Sequence, residues 1–415
     1  MKILAIGDST ENVYTMMKYS KNLEIHLIDF PRKGVDLTTK RNENVEFFDS
    51  LLISEQVKKI EKIKDDYDLC LAMPWSGARI AYLAGLNYIM YFVGSDIIVP
   101  PFLKDAKNEY EQSPVHNYNF LERKFYSNIL KNATLCVTST GQYFNELKKY
   151  RNDAERMDRV FVDTDIFNEN VETVNIKKEK FTILSPQRFG LEKGIPIIWK
   201  ALEKCKSDFE LWQTSWFMED TTIENLKKLT GMNKELVENA PKQVKLIPLI
   251  KKNELGKYIV TVDAVMGQMR WGGQGGVERE AAYCKKPVIN YTDVDFPTII
   301  DGKMVIAPFL PQSKDPKDIA KIIDKVVEDK NFRDELAKKE NEYVKKISDP
   351  EKVMDDWELL FKKAIKIEPK INRKLTISEK ISKKLFFKLE KKYVRKFEKN
   401  NVKVWGKKNY KNLTN

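Results

Sequence analysis

A chain of 415 residues exceeds what one ordinary hydrophobic core supports, so two domains of similar size are expected. Its apolar content of 42% with 11% aromatics indicates a soluble globular protein. Four cysteines far apart in apolar surroundings (Cys70, Cys136, Cys205, Cys284) argue for reduced thiols in a cytoplasmic setting and against a disulfide or zinc framework, while two histidines, His26 and His116, disfavour a His-rich metal site or a histidine-dependent hydrolase. The formal charge of +12 sits at one end: Lys370 to Asn415 carries 16 basic and 3 acidic side chains, and the other 369 residues carry 57 and 58.

The opening MKILAIGDST holds too few apolar residues for a signal-peptide core, and no apolar run of about 18 residues exists, so no membrane span is expected. KILAIG reads as a buried parallel strand ending in Gly7, with Asp8 and Ser9 placed to cap the helix after it. EIHLIDF, VEFFD, DLCLAM and YIMYFVG follow as strands, with helices such as ISEQVKKIEKIK and GARIAYLAGL between them. Such alternation predicts a doubly wound sheet that binds ligands at the C-terminal ends of its strands, which puts Gly7, Asp8, Pro74 to Gly77 and Gly94 to Asp96 on one rim. The polar loop from Val99 to Asn119 reads equally as a substrate lid or a surface insertion. A helix near 120–130, the strand ATLCVTS, a helix from about Gly141 and the segment RVFVDTDIF complete the first half. A charged aperiodic stretch, 168–180, is the expected linker.

The second half alternates again, with strands FTILSP, FELWQT, VKLIPL, TVDAVMG, PVINY and MVIAPF. After FTILSP, Arg188 and Lys193 stand five apart around a turn, where two fixed cations would neutralise a departing pyrophosphate; a solvated basic loop is the bland alternative. After TVDAVMG, Gly272, Gly273, Gln274, Gly275 and Gly276 lead into a helix expected near Val277. Backbone amides and a helix N-terminus there suit a diphosphate, and Glu280 in the first turn suits neutral hydroxyls such as those of a ribose. Two charged helices follow from Asp315 to Ser348, and DPEKVMDDWELLFKKAIKI gives a last one.

Beyond Pro369, Ile377, Ile381, Leu385, Leu389, Tyr393 and Phe397 recur four apart among lysines, a basic amphipathic helix. Three readings stay open: contact with an anionic membrane surface through residues 370–411, packing on the protein body, or nucleic acid, the last being the weakest because no stacking platform accompanies the charge.

These stretches together resemble a glycosyltransferase of the GT-B fold, closest to the retaining family 4 type, over roughly residues 1 to 366. RFGLEKG is similar to the family's arginine and lysine-glycine phosphate segment, and GGVEREAAYCKKPVINY to the segment of its second signature glutamate, with Glu280 in that place. YFVGSDI is similar to the donor-facing loop of the first domain, VDTDIF to the segment that closes that domain, and DDWELLF to the helix that crosses back to it.

The resemblance implies two Rossmann-like domains facing a cleft: 1–168 on the acceptor side with crossover helix 350–366, 169–349 for a nucleotide sugar, and 367–415 as the tail. It implies that Arg188 and Lys193 hold the diphosphate, Glu280 the ribose, and Gln274, Gly275 and Gly276 the phosphate or sugar. Thr214 and Pro248 would lie near the base, and Gly7, Asp8, Ser95 and Asp96 on the acceptor side. No metal or other cofactor is expected, because the two cations take that role. Two positions depart from the family: its first glutamate is replaced by Gly272 and its histidine before the GSD glycine by Val93. The expected activity is transfer of a sugar, in the manner of a hexosyltransferase, to a glycan or lipid-linked acceptor at the inner face of a membrane. A non-catalytic binding module or a nucleotide-sugar epimerase of the same fold is the alternative.

Overall fold

The computed structural model describes residues 1–8, 10–30, 45–104, 118–139, 141–187, 190, 193–214, 232–367, 374–388 and 390. Arg188, Ser9, His116, most of the loop expected at 99–119 and the tail beyond 390 lie outside them.

Uniformly apolar runs make strands that are covered on both faces, as parallel sheets require. β1 (Lys2–Ile6) has Ile3, Leu4, Ala5 and Ile6 fully buried. It pairs in parallel with β2 (Glu24–Asp29) and β4 (Leu69–Ala72). With β3 (Val45–Phe47), β5 (Tyr88–Phe92), β6 (Leu135–Thr138) and β7 (Glu155–Arg156) they form a seven-stranded sheet of order β3-β2-β1-β4-β5-β6-β7. One face is covered by α2 (Ile53–Ile63), α3 (Ser76–Ala84) and α4 (Phe120–Asn132), which supply Val57, Ile60, Ala81, Phe125 and Ile129 to one core. α1 (Asn12–Tyr19) covers the other face, and α5 (Gly141–Lys148) follows β6.

The second sheet has five parallel strands in the order β10-β9-β8-β11-β12. These are β8 (Phe181–Ser185), β9 (Phe209–Thr214), β10 (Val244–Ile247), β11 (Ala264–Met266) and β12 (Val288–Ile289). Between and after them run α6 (Ile195–Leu202), α7 (Met232–Glu238), α8 (Lys252–Thr261), α9 (Gly276–Tyr283), α10 (Pro316–Glu328) and α11 (Lys330–Ile347). The expected strand MVIAPF is corrected: only Lys303–Val305 is extended (β14), and it pairs antiparallel with β13 (Thr298–Ile300) in a hairpin outside the main sheet. Strand order reverses at β1/β4 in one sheet and at β8/β11 in the other, and each reversal opens a crevice at the strands' C-terminal ends.

The chain passes between cores twice. Phe161 packs with the first domain and Val162 with the second, several residues before the stretch read as linker. α12 (Pro350–Ile367) then returns to the first domain and buries Val353, Met354, Trp357 and Phe361 against it, the Trp357 ring meeting Tyr91 edge-on at 4.9 Å. Val160 N–H donates to Ile347 C=O at 3.1 Å, tying the two crossings together. Residues 377–388 form a further helix, α13, seated on the first domain through Phe386 and Phe387. Among the described residues no helix is long and apolar enough to cross a membrane.

Candidate functional site

Between the two switch points lies a cleft of about 550 Å³, in the range of small-ligand sites, lined from both domains. Thr10, Asn12, Val93, Gly94 and Asp96 face it from one side and Lys193, Trp271 to Gly276, Arg279 and Glu280 from the other.

The glycine turn is built by what lies beneath it. Glu278 of α9 is fully buried, and its Oε1 accepts hydrogen bonds from Gln187 Nε2 and from the Gln268 N–H at 3.1 Å. A Cβ at Gly275 would stand 2.7 Å from Glu278 Oε2, an atom with no hydrogen-bond partner among the described residues. The turn therefore passes closely over a buried carboxylate, and Gly275 keeps extended backbone as the residue before α9. α9 starts at Gly276, one residue before the expected Val277.

Gly272 is set by sterics as well. A Cβ there would overlap the Cβ of Asp293 at 2.0 Å, and Asp293 N–H donates to Gly272 C=O at 3.1 Å. The space of a side chain at 272 is filled by the loop after β12.

Glu280 is 5% exposed and is not free for a ligand alone. Its Oε1 lies 2.8 Å from Lys252 Nζ at the start of α8, and the same ammonium is 3.7 Å from Glu11 Oε2 of the first domain. Burial pulls the Lys252 pKa down, but Glu280 and Glu11 outweigh it, and the net shift is upward. Glu11 holds a left-handed backbone, φ +59°, just before α1, a conformation that costs a non-glycine residue on the order of 1 kcal/mol.

Arg279 points beside this pair. Its Nη1 donates to Gln274 C=O at 2.7 Å, and burial holds its pKa below the ordinary guanidinium value despite Glu278 and Glu280 nearby. A cation thus lies on the cleft side of the glycine turn in addition to Lys193.

The other sequence candidates divide. Lys193 lines the cleft, and its C=O accepts from Met269 N–H at 3.1 Å, which joins the lysine turn to the strand before the glycines. Gln274, Gly275, Gly276, Glu280 and Asp96 line the same cleft, whereas Arg188 lies outside the described residues. Burial pushes the Asp96 carboxyl above its usual range, against opposing hydrogen bonds from the Asp96 and Val93 N–H groups. Ser95 starts the short 3-10 turn Ser95–Ile97 beside it. Thr214 is buried at the end of β9, its hydroxyl donating to Ser185 C=O at 3.4 Å, and Pro248 follows β10 exposed.

Asp8 is corrected. It is turned inward, 1% exposed, with Oδ2 accepting from Tyr14 N–H at 2.8 Å, so it caps α1 and offers no surface to an acceptor. Gly7, at φ +81°, makes the turn that Phe30 crowds. Among the described residues no group of three or more His, Cys, Asp or Glu could hold a metal ion.

Sequence reasoning passed over Lys252, Glu11 and Arg279. KKNEL reads as an ordinary solvated helix start, and nothing local to Glu11 or Arg279 signals a cleft. Only the tertiary approach of α1, α8 and α9 assembles them.

Residues 167–343 match the family model described as glycosyl transferases group 1. A search of the curated proteins finds no match. Among solved structures, the chain is similar to HepE of Anabaena in complex with UDP and glucose, at 16% identity and TM-score 0.61, covering 88% of this chain and 100% of that one. It is similar to sucrose-phosphate synthase of Thermosynechococcus elongatus, at 15% identity and TM-score 0.62, covering 88% and 98%. A glycosyltransferase of Rickettsia africae ESF-5 matches at 17% identity and TM-score 0.57, covering 88% and 98%. At these identities the likeness is one of fold, two parallel-sheet domains facing a cleft.

Proposed function

From a GT-B glycosyltransferase fold whose residues 167–343 match the group 1 model, we propose that this chain moves a sugar from a nucleotide-diphosphate-sugar donor to a glycan or lipid-linked acceptor, with retention of configuration. The observation that supports this most is the convergence of Lys193, the Gly272–Gly276 turn at the start of α9, and Glu280 on one interdomain cleft. The α9 N-terminus and Lys193, with Arg188 five positions before it in the sequence, suit the diphosphate, whose negative charge grows as the sugar–phosphate bond breaks. Glu280 suits the ribose hydroxyls, and Thr214 and Pro248 mark the side of the base. The acceptor oxygen bonds to the anomeric carbon, the diphosphate leaves with the bonding electrons, and the acceptor's proton passes to the departing phosphate. Arg188 and Lys193 would supply the positive charge that a metal otherwise brings, so none is needed in this reading. A membrane-borne acceptor places the protein at the inner face of a membrane, peripheral and cytoplasmic.

UDP in the HepE complex makes UDP-sugars the first donors to test. Thermal shift with UDP, GDP, ADP, CDP and their sugars, with Glu280→Ala alongside, reads the donor site directly. A selective rise in melting temperature that disappears in the variant supports the assignment. No shift with any nucleotide removes it. Gly272 and Val93 favour one second reading, a module that binds a nucleotide sugar or glycan without turnover; donor binding without hydrolysis or transfer to any acceptor selects it.

A further inference from the structure

Helix α13 has two faces with different work. Toward the domain, Phe386 stacks on Phe125 of α4 with ring centroids 5.4 Å apart. Lys383 Nζ pairs with Glu61 of α2 at 2.5 Å and donates to Leu83 C=O of α3 at 2.9 Å. The buried Glu390 accepts from Ser54 N–H at 2.8 Å. At about 100° per residue, positions 383, 386, 387 and 390 fall within an arc of roughly 100°. Ile377, Ile381 and Leu385 fall on the opposite side, about 130° to 170° from its centre, and they are 79%, 55% and 52% exposed. Lys380, Lys384 and Lys388 are exposed beside and between them. The helix that receives Phe386 begins with Phe120 and Leu121, which are exposed as well.

We propose that the outer face of α13 lies in the interface of an anionic lipid bilayer. Charge and apolarity share one exposed face, which decides among partners. A polyanion would satisfy the lysines and leave Ile381 and Leu385 in water. An apolar protein groove would take the isoleucines and desolvate the lysines. A bilayer interface takes both, acyl carbon under the strip and phosphate around the ammonium groups, and stable peripheral binding needs these two signals together. The charge excess from Lys370 onward acts in the same direction. Because α13 is pinned by Phe386, Lys383 and Glu390, it acts as part of the domain surface, so the bilayer contact fixes how the first domain is oriented above the lipid. The inference deepens the membrane-acceptor reading and rests on it only for the acceptor's location.

The test is vesicle flotation of the full chain with phosphatidylcholine alone and with one third phosphatidylglycerol. Two double variants at exposed positions, Ile381→Glu with Leu385→Glu and Lys384→Glu with Lys388→Glu, go beside the wild type. The expected result is binding to the anionic vesicles only, reduced at least tenfold by either double variant. The proposal is overturned if the wild type stays with the soluble fraction, or if the apolar double variant floats as well as wild type, which would mean charge attraction alone. It is also overturned if Leu385→Glu abolishes a concentration-dependent dimer in sedimentation while flotation is unchanged, since the strip would then belong to a second copy. Thermal shift with nucleotides on the same variants reports fold and donor site independently, so failure here and failure of the donor reading are separate results.

Discussion

Lys252 Nζ lies 2.8 Å from Glu280 Oε1 and 3.7 Å from Glu11 Oε2, so one ammonium of the second domain serves a carboxylate of each domain. Without it, the cleft carboxylate of Glu280 and the buried carboxylate of Glu11 would lie near each other largely out of water. A donor ribose that engages Glu280 must share it with this lysine, which holds the carboxylate in place before any ligand arrives. Lys252→Met is expected to weaken nucleoside-diphosphate binding tenfold or more, about 1.4 kcal/mol, and to lower the melting temperature, because a partly buried pair loses one member. Lys252→Arg should recover most of the affinity. Calorimetry on the two variants checks this, and equal affinities for wild type and Lys252→Met would detach the pair from the donor site.

Lys193 projects into the cleft from a turn tied to the glycine strand by the Met269 hydrogen bond. If it stabilises charge that grows during bond breaking, Lys193→Ala costs mostly kcat, on the order of 10² to 10³, with a smaller change in donor affinity. Arg188→Ala is expected to behave alike. Transfer assays read both, and full activity in the two variants would end the catalytic assignment.

Gly272 occupies the position at which the sequence resemblance leads one to expect a glutamate. A Cβ there meets Asp293, so Gly272→Ala should destabilise by about 2 kcal/mol through overpacking, and Gly272→Glu should fold worse without gaining activity. Denaturant unfolding and a donor-sugar assay check the pair. An active, stable Gly272→Glu would show that the loop after β12 yields.

Glu340 is fully buried on α11. Burial pushes its pKa well above the usual value, opposed only in part by the hydrogen bond it accepts from Val288 N–H at 2.8 Å. The folded chain therefore holds this proton where the unfolded chain has lost it, and stability falls as pH rises from the ordinary carboxylate value toward the folded one. Glu340→Gln removes that slope. Its melting temperature should exceed wild type by about 2 °C or more at pH 8, with the gain shrinking toward pH 4. A gain independent of pH would assign the effect to packing.

The two parallel sheets were legible because runs such as KILAI, DLCLA and YIMYF are apolar without interruption, a pattern that only a doubly covered strand tolerates. The glycine turn and Glu280 were legible because helix-start chemistry is local. β7 escaped notice because two residues, Glu155 and Arg156, give no periodicity, and MVIAPF misled because a hairpin and a buried loop can be as apolar as a strand. Phe161 and Val162 are adjacent yet belong to different cores, which no composition shift marks. The Lys252 to Glu11 approach spans most of both domains in sequence and exists only after they meet. The tail's docking through Phe386 and Glu390 was one of the readings left open, and residues four apart cannot by themselves say which side of a helix is covered.

The return of α12 also bears on how the chain is made. Trp357 and Phe361 cover a sheet face whose first strand begins at Lys2, so during synthesis that face waits until a segment about 350 residues further along has left the ribosome. The second domain, contiguous in sequence, can close first. Truncation before Pro350 would leave the first sheet with an open apolar side, a product that quality control would see as unfinished although both sheets are already encoded.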